Sequence, residues 1–253
     1  MAAAIETHSA THSAAPDPAE GDLSGQPSRR ITSFRSRRST LTDTQEDTWE
    51  RRWPELGTQA RWADRMAGLL DPEEWFGRRA PLILEIGCGT GTSTLAMAQA
   101  EPDLDVIAVE VYRRGLAQLL SGIDRHDVTN IRLIRGDAVD VLENMVAPDS
   151  LTGVRVFFPD PWPKSRHHKR RLLNPTIVGL IADRLRPGGV LHAATDDAGY
   201  AQQIAEVGDS VPRLRRVSAD DALAISVNRP VTKYETKAHH ANSDVAELLW
   251  ERS

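Results

Sequence analysis

The chain has 253 residues, 40% of them hydrophobic, which is enough for one sizeable domain with a buried core. Its formal net charge of −5 excludes a protein that coats nucleic acid indiscriminately, so any contact with RNA must come from local basic patches. The single cysteine, Cys88, excludes an internal disulfide, and without a signal peptide or a run of the ~20 apolar residues that cross a bilayer, we expect a cytoplasmic protein.

The N-terminal segment, residues 1–44, is predicted to be a disordered tail. It is rich in small and polar side chains and cannot bury enough apolar surface to offset the entropy of ordering. The tail also holds five arginines without an intervening acid: Arg29, Arg30, Arg35, Arg37 and Arg38. These arginines could contact RNA or could simply be solvated. The folded domain is expected to span residues 45–253.

An N-terminal helix that packs against the main sheet is predicted to open this domain. Large apolar residues recur between positions 45 and 70 at partly helical spacings, namely Trp49, Trp53, Leu56, Trp62, Met66 and Leu69. We expect the tryptophans to lie in the core rather than to bind a ligand.

Short apolar runs then alternate with helical patterns, which predicts an α/β fold with a mostly parallel sheet. Predicted strands cover residues 82–86, 106–109, 131–135, 154–158, 190–194 and 245–250, and the last of them closes the sheet. Predicted helices cover residues 92–100, 113–124, 139–144 and 174–185. The sequence RPGG at 186–189 is expected to stop the last helix and to turn the chain.

A glycine-rich loop follows the first of these strands. Its sequence is EIGCGTG at residues 85–91, and Gly87, Gly89 and Gly91 would let backbone N–H groups approach a ligand without obstruction by a Cβ. The G-x-G-x-G spacing differs from the G-x-G-x-x-G of a dinucleotide fingerprint, and the Glu85 carboxylate would repel a pyrophosphate. The loop therefore favours a cationic or amine-bearing ligand.

Two further acids lie at the ends of the next two predicted strands. Glu110 follows the glycines by about twenty residues, where a carboxylate can accept hydrogen bonds from the ribose hydroxyls of NAD or of S-adenosylmethionine. Asp137 could hold an adenine amino group, or it could cap the helix that starts at Ala138. Three strand-end acids around a glycine loop resemble the class I S-adenosylmethionine-dependent methyltransferases. That resemblance implies a Rossmann-like fold with a mostly parallel seven-stranded sheet, helices on both faces and an antiparallel last strand.

The most unusual stretch of the chain is FFPDPWPKSRHHKRR at residues 157–171. Three prolines stiffen the backbone, so Asp160 and Trp162 are presented with few alternative conformations. Dense positive charge follows immediately, beginning at Lys164. An acid held at a strand end beside a phosphate-attracting surface indicates chemistry on a nucleic acid.

This stretch resembles the signature of the bacterial tRNA (guanine-N7)-methyltransferases, and TKYE at 232–235 is similar to a late motif of that family. The resemblance implies an enzyme that transfers a methyl group from S-adenosylmethionine to N7 of a guanosine in the variable loop of tRNA, forming 7-methylguanosine. Eukaryotic members use a separate propeller partner, but nothing in this sequence requires one. We therefore expect tRNA as the partner, no obligate protein partner, and a monomer or homodimer.

The resemblance also assigns residues to roles. It makes Asp160 the catalytic residue and gives cofactor contacts to Glu85, Gly87, Gly89, Gly91, Glu110, Asp137 and Asp160. It implies that the guanosine is bound by Lys164, Asp196, Thr232, Lys233, Tyr234 and Glu235. It assigns RNA contacts to Arg166, His167, His168, Lys169, Arg170 and Arg171.

The chemistry of the target atom agrees with these residue types. Guanine N7 carries an unprotonated lone pair at neutral pH, so no base needs to remove a proton before it attacks a sulfonium methyl group. A carboxylate such as Asp160 could orient the base and stabilise the positive charge that develops on it. Because side chains cannot enter the groove that N7 faces in A-form RNA, the target should lie in a loop or be splayed out. Trp162 could stack on that base or could pack the loop as a wedge.

Two other functions stay open on the sequence alone. An NAD-dependent oxidoreductase would use the same glycine loop and Glu110, but it has no use for the basic run. A non-catalytic RNA-binding module would use the basic run, but it has no use for three acids around a nucleoside crevice. No metal is expected, because the adjacent His167 and His168 lack a companion at ligand spacing.

Overall fold

A computed structural model describes residues 40–62, 65–230 and 245–253. The predicted disordered tail lies outside the described residues except for positions 40–44, and so do the predicted substrate contacts Thr232, Lys233, Tyr234 and Glu235. The first helix, α1 (Asp43–Leu56), begins slightly before the predicted domain boundary. Thr42 caps it: the Thr42 hydroxyl accepts from the Gln45 backbone N–H, and the Gln45 side chain accepts from the Thr42 N–H.

The predicted alternation of strands and helices is present from residue 82 onward, but several further strands and helices were not predicted. The other helices are α2 (Pro72–Phe76), α3 (Thr92–Ala100), α4 (Arg113–His126), α5 (Ala138–Asn144), α6 (Pro175–Arg184) and α7 (Ala198–Ser210), with a 3-10 helix, η1 (Ser165–Arg170). The strands are β1 (Gly57–Gln59), β2 (Arg61–Trp62), β3 (Arg65–Met66), β4 (Leu82–Ile86), β5 (Asp105–Glu110), β6 (Ile131–Arg135), β7 (Leu151–Phe157), β8 (Leu185–Thr195), β9 (Leu214–Arg216) and β10 (Ala246–Arg252). The helix predicted to stop at RPGG ends at Arg184, and residues 186–189, which were expected to turn the chain, lie within a strand.

Eight strands form one sheet in the order β1-β6-β5-β4-β7-β8-β10-β9, and β2 pairs with β3 in a separate hairpin. Strands β1 and β4 to β8 are parallel, whereas β10 runs antiparallel to both of its neighbours. The predicted mostly parallel α/β sheet with an antiparallel last strand is therefore confirmed, and β1 extends it at one edge. From β4 the chain builds outward to β5 and β6, then returns to the other side of β4 as β7. Such a reversal leaves a crevice at the carboxyl ends of the central strands.

Helices cover both faces of the sheet, as the resemblance implied. One apolar cluster holds residues of α1, α3 and α4, whereas the other holds residues of α5, α6 and α7. Within the described ranges, none of the helices combines the length and the apolar character needed to span a bilayer.

The prediction of helical spacing up to residue 70 is wrong beyond Leu56. Helix α1 ends at Gly57, which is extended and so close to Trp53 that a Cβ on Gly57 would lie 2.3 Å from the indole. The chain turns there into β1 and the β2–β3 hairpin. Trp49 is buried and stacks on Trp53 at a centroid distance of 4.0 Å, but Trp62 is 58% exposed. The expectation of a core position therefore holds for Trp49 and not for Trp62.

Candidate active site

Two loops meet at the carboxyl edge of the sheet, where the strand order reverses. The glycine loop follows β4, and the loop that holds Asp160 follows β7. These strands are paired directly, with Ile86 opposite Val156 near their ends. Neighbouring strands lie about 4.8 Å apart, so residues separated by some seventy positions in the chain open onto one crevice.

The glycines of the first loop adopt backbone conformations that other residues rarely do. Gly87, Gly89 and Gly91 have φ values of 76°, 56° and 74°. A Cβ on Gly87 or Gly89 would meet no atom within 4 Å, so both face open space. Gly91 is the N-cap of α3. The loop thus presents backbone to the crevice, as the sequence predicted.

Glu110 at the end of β5 holds this loop in place. Its Oε2 accepts from the Gly89 N–H at 3.0 Å, and its Oε1 accepts from the N–H groups of Val111 at 2.7 Å and Tyr112 at 3.0 Å. Helix α4 also approaches the loop closely, since a Cβ on Gly115 would lie 2.3 Å from the Gly89 carbonyl oxygen. The sequence suggested a ligand contact for Glu110 but gave no sign of this structural role.

Glu85 lies inside the sheet at 3% exposure. Its Oε1 accepts from the Thr94 hydroxyl at 2.9 Å, whereas Oε2 is buried without a hydrogen-bond partner. Burial raises the pKa of this carboxyl to about 7, although Thr94 and the positive charge of Arg155 pull it down. A buried carboxylate with an unused oxygen is what a cationic ligand would stabilise.

Asp137 is the N-cap of α5, where its Oδ1 accepts from the Val139 N–H at 2.9 Å. The capping interpretation is therefore confirmed, and the adenine contact stays a prediction. Cys88 in the glycine loop is buried, and burial together with Glu110 and Glu85 raises its thiol pKa well above the usual range. A thiol of this kind is inert at neutral pH.

The Asp160 loop has an unusual backbone. Phe158 and Trp162 adopt positive φ values of 50° and 45°, a region that bulky residues rarely enter. The Phe158 N–H donates to the Ala194 carbonyl at 2.8 Å, which ties the loop to the end of β8. Asp160 itself is half-buried. Burial, with a smaller contribution from the negative charge of Asp160, raises the pKa of nearby Tyr200 to about 12.

Trp162 packs the loop from inside. Its side chain is only 5% exposed, the Arg170 guanidinium lies 3.8 Å from the ring centroid, and the His167 ring meets it edge-on at 5.8 Å. Of the two interpretations that the sequence left open, the structure supports the wedge.

The basic run folds as η1, and the three-residue period of a 3-10 helix separates its side chains. Arg166 and Lys169 share one exposed stripe, and Lys164 precedes them in an exposed position. His167 and Arg170 share a second stripe that faces Trp162. His168, on the third stripe with Arg171, is half-buried.

Arg171 requires a correction. It was predicted to contact RNA, but its side chain is 4% exposed. Its Nε donates to the Pro161 carbonyl at 2.8 Å, its Nη1 donates to Gln203 Oε1 at 2.7 Å, and its guanidinium lies over the Tyr200 ring at 4.8 Å. Arg171 therefore anchors the Asp160 loop to α7 instead of facing solvent.

Asp196, a predicted contact of the guanosine, is exposed directly after β8. The arginines near β9 are paired with carboxylates: Arg213 with Asp183, Arg215 with Glu251, and Arg216 with Asp209. In the described part of the chain, no three His, Cys, Asp or Glu side chains are grouped as metal ligands would be.

Sequence reasoning missed several buried polar groups beside the site. Arg155 in β7 is fully buried, lies in register with Glu85, and donates from Nη2 to Glu101 Oε2 at 2.5 Å. His192 in β8 is in register with Arg155 and is also buried. An ionisable residue inside an otherwise apolar strand, as in the VRV of β7 and the VLHAA of β8, was the available signal.

Comparison with known proteins adds to this geometry. Residues 79–248 match a family model described as "Putative methyltransferase". A "tRNA (guanine-N(7)-)-methyltransferase" of Mycobacterium sp. (strain KMS) is 75% identical over 88% of this chain and 82% of its own length. One with the same name from Mycolicibacterium gilvum (strain PYR-GCK) is 68% identical over 94% and 93%. Among solved structures, the aminoglycoside resistance methyltransferase NpmB1 superposes with a TM-score of 0.49 and 16% identity, over 75% of this chain and 97% of that one.

The contact between α4 and the glycine loop yields a prediction. Gly115→Ala should lower the free energy of unfolding by ~1–3 kcal/mol, because the new methyl group would overlap the Gly89 carbonyl oxygen. The matched control is Gly179→Ala in α6, where an added Cβ meets nothing within 4 Å. Alanine there should be neutral or should stabilise by up to ~1 kcal/mol. Urea denaturation of both variants measures the difference, and equal effects would contradict the close approach.

Proposed function

The chain belongs to the family of tRNA (guanine-N7)-methyltransferases, and we propose that it transfers the methyl group of S-adenosylmethionine to N7 of a guanosine in tRNA. One observation carries the proposal at the level of residues. The paired strands β4 and β7 place the glycine loop and the Asp160 loop side by side at the point where the strand order reverses. A donor on one loop and an acceptor on the other would be neighbours there.

The residues present fit S-adenosylmethionine. Gly87 and Gly89 leave open space for close approach by a ligand, and the unused Oε2 of Glu85 offers negative charge to a cation. The Glu110 carboxylate, at the end of β5 beside the glycine loop, would accept from the ribose hydroxyls. Asp137 would accept from the adenine amino group. When bound, this cofactor supplies an electrophilic methyl group on a sulfonium centre.

Asp160 is the residue that we assign to the reacting base. Its carboxylate makes no hydrogen bond or ion pair with another residue in the described part of the chain, so its acceptor positions are available to a ligand. It would orient the guanine and stabilise the positive charge that moves onto the ring as N7 becomes methylated. Because N7 carries a lone pair, no step requires a base. Lys164 and Asp196, both exposed at the same edge, would contact the rest of the guanosine.

The tRNA would reach the site through the exposed stripe of η1. Arg166 and Lys169 present their charges to solvent, and Lys164 continues the same surface toward Asp160. Arg170, His167 and His168 lie closer to the protein and would contact RNA only at the rim. A chain with a net charge of −5 attracts a polyanion through such a local surface rather than as a whole. The target guanosine in the variable loop would be accessible without opening an RNA helix.

Glu85 yields a pH-dependent prediction. Its pKa of about 7 means that the carboxyl is mostly neutral below pH 7 and mostly ionised above it. Because a cationic ligand prefers the ionised form, affinity for S-adenosylmethionine should rise with pH through 7, by up to ~10-fold per unit below it. Isothermal titration at pH 6, 7 and 8 measures the slope. Glu85→Gln should flatten it, whereas exposed Glu50→Gln should not; a flat wild-type profile would count against the contact.

A methyl-transfer assay tests the function itself. Purified protein incubated with labelled S-adenosylmethionine and unmodified tRNA should yield 7-methylguanosine on nucleoside analysis. Asp160→Ala should reduce the rate by at least ~100-fold, because the charge opposite the developing cation is removed. Asp103→Asn, an exposed acid at the opposite edge of the sheet, is the control and should leave the rate within about twofold. Wild-type rates in Asp160→Ala would remove this residue from the mechanism.

The exposed stripe of η1 is tested by the salt dependence of tRNA binding. The double variant Arg166→Ala/Lys169→Ala should weaken binding at low salt and reduce the slope of log K against log salt by about 1 for each phosphate that it no longer neutralises. The control removes two exposed arginines from the amino edge of the sheet, Arg79→Ala/Arg186→Ala. If both double variants show the same affinity and slope, the RNA binds elsewhere.

A further inference from the structure

Three residues outside the predicted site form a polar cluster beside it, in which the His192 and Arg229 side chains are buried and Glu247 is 39% exposed. Glu247 in β10 accepts from two partners: the Nε2–H of His192 in β8 donates to its Oε2 at 2.5 Å, and Arg229 donates from Nη2 at 2.6 Å and from Nε at 3.1 Å to its Oε1. The Arg229 side chain is 4% exposed. Burial alone would raise the pKa of Glu247, but the hydrogen bonds from His192 and Arg229 lower it below its usual value. The cluster is therefore an ionised carboxylate between two donors.

The other side of Arg229 contacts the entrance to the Asp160 loop. Its guanidinium carbon lies 5.0 Å from the ring centroid of Phe158 and 5.5 Å from that of Phe157. The Phe157 ring also meets the His192 ring edge-on at 4.8 Å. The two aromatic residues that lead from β7 into the loop are thus held from one side by Arg229 and His192, both of which are fixed by Glu247.

Phe158 needs such support, because its φ of 50° is unfavourable for a bulky side chain. A conformation of this kind persists only where the surroundings determine it. The described contacts that do so are the hydrogen bond from the Phe158 N–H to Ala194 and the guanidinium of Arg229 over the ring. Two residues further along the chain lies Asp160, so a change of backbone conformation at Phe158 would displace the carboxylate.

We propose that Arg229 is a positioning residue for Asp160, acting through Phe158 and held in place by Glu247. The inference rests on the proposed function, because it assigns Arg229 to the orientation of the carboxylate that faces the guanine. Arg229 would touch neither the base nor the donor. The planar guanidinium of Arg229 can make both contacts at once, because one edge donates twice to Glu247 while one face covers an aromatic ring.

The competing explanation is that Arg229 and Glu247 form an ion pair that only stabilises the fold. Enzyme kinetics and hydrogen exchange distinguish this explanation from a positioning role. Arg229→Ala should lower kcat by ~10- to 100-fold, with the Kd for S-adenosylmethionine and the KM for tRNA within about twofold of wild type. Added to Asp160→Ala it should cause no further decrease, since both changes remove the same oriented carboxylate. Arg229→Lys keeps the charge but not the planar fork, so it should restore the melting temperature more fully than kcat.

A second readout does not depend on catalysis. Arg229→Ala should raise the hydrogen-exchange rate of the Phe158 amide, which is bonded to Ala194. The matched control is Arg215→Ala, which breaks another ion pair to β10, at 2.5 Å from Glu251, and should change neither kcat nor this amide. If Arg229→Ala does not fold, Glu247→Gln carries the same test.

The outcomes separate the two proposals. Unchanged protection of the Phe158 amide, or a decrease in kcat that multiplies with that of Asp160→Ala, would overturn the positioning role even if the enzyme methylates tRNA. Suppose instead that the Phe158 amide exchanges faster in Arg229→Ala but that the wild-type protein forms no 7-methylguanosine. The support of Phe158 by Arg229 would then stand, and the proposed function would be refuted.

Discussion

The parallel pairing of β4 with β7 is the constraint on which the site depends. These strands are adjacent in the sheet but are separated along the chain by β5, β6 and three helices. Because the chain reverses its direction of growth between them, the loops that follow diverge and leave a crevice. Two ligands can therefore be bound by separate loops, while the pairing of the strands fixes the distance between those loops. The backbone hydrogen bonds to Glu110 serve the same end, since they keep the glycine loop open toward that crevice.

A row of ionisable side chains crosses one buried face of the sheet behind this crevice. Glu85, Arg155 and His192 lie in register on β4, β7 and β8, and registered neighbours of parallel strands point to the same side. Burying such groups is costly, and apolar residues would stabilise the fold at least as well. The row is explained by what lies at its ends. In the proposed function, Glu85 offers charge to a cationic ligand, while His192 and Glu247 lie next to Arg229, the residue that we propose supports Phe158. Arg155 between them draws down the pKa of Glu85 without cancelling the effect of burial.

Sequence patterns predicted the elements whose burial is regular. Strands β4 and β6 and helix α3 begin and end where the sequence patterns place them, because all of them contribute buried residues to the apolar clusters on the two faces of the sheet. The region after Leu56 was predicted wrongly, since two-residue strands such as β2 are too short to show alternation and Gly57 ends the helix through a contact with Trp53 that spacing does not reveal. In the site, Asp160 and the glycines could be found because their local sequence is unusual. Arg229 could not, because its significance comes from Glu247 and Phe158, which only the fold brings to it.

The basic run shows why composition alone misjudges a charged surface. Seven cationic or titratable side chains follow Pro163 within eight positions, and the sequence gives no reason to treat them differently. Folding as a 3-10 helix imposes a period of three, so one stripe faces solvent, the second covers Trp162 and the third turns inward with Arg171. Arg170, His167 and Arg171 pack against the loop that carries Asp160, whereas the outer stripe is the one that is exposed to solvent. Positive charge in this segment therefore has two separate structural roles, because one stripe faces solvent whereas the other two pack against the loop that holds Asp160.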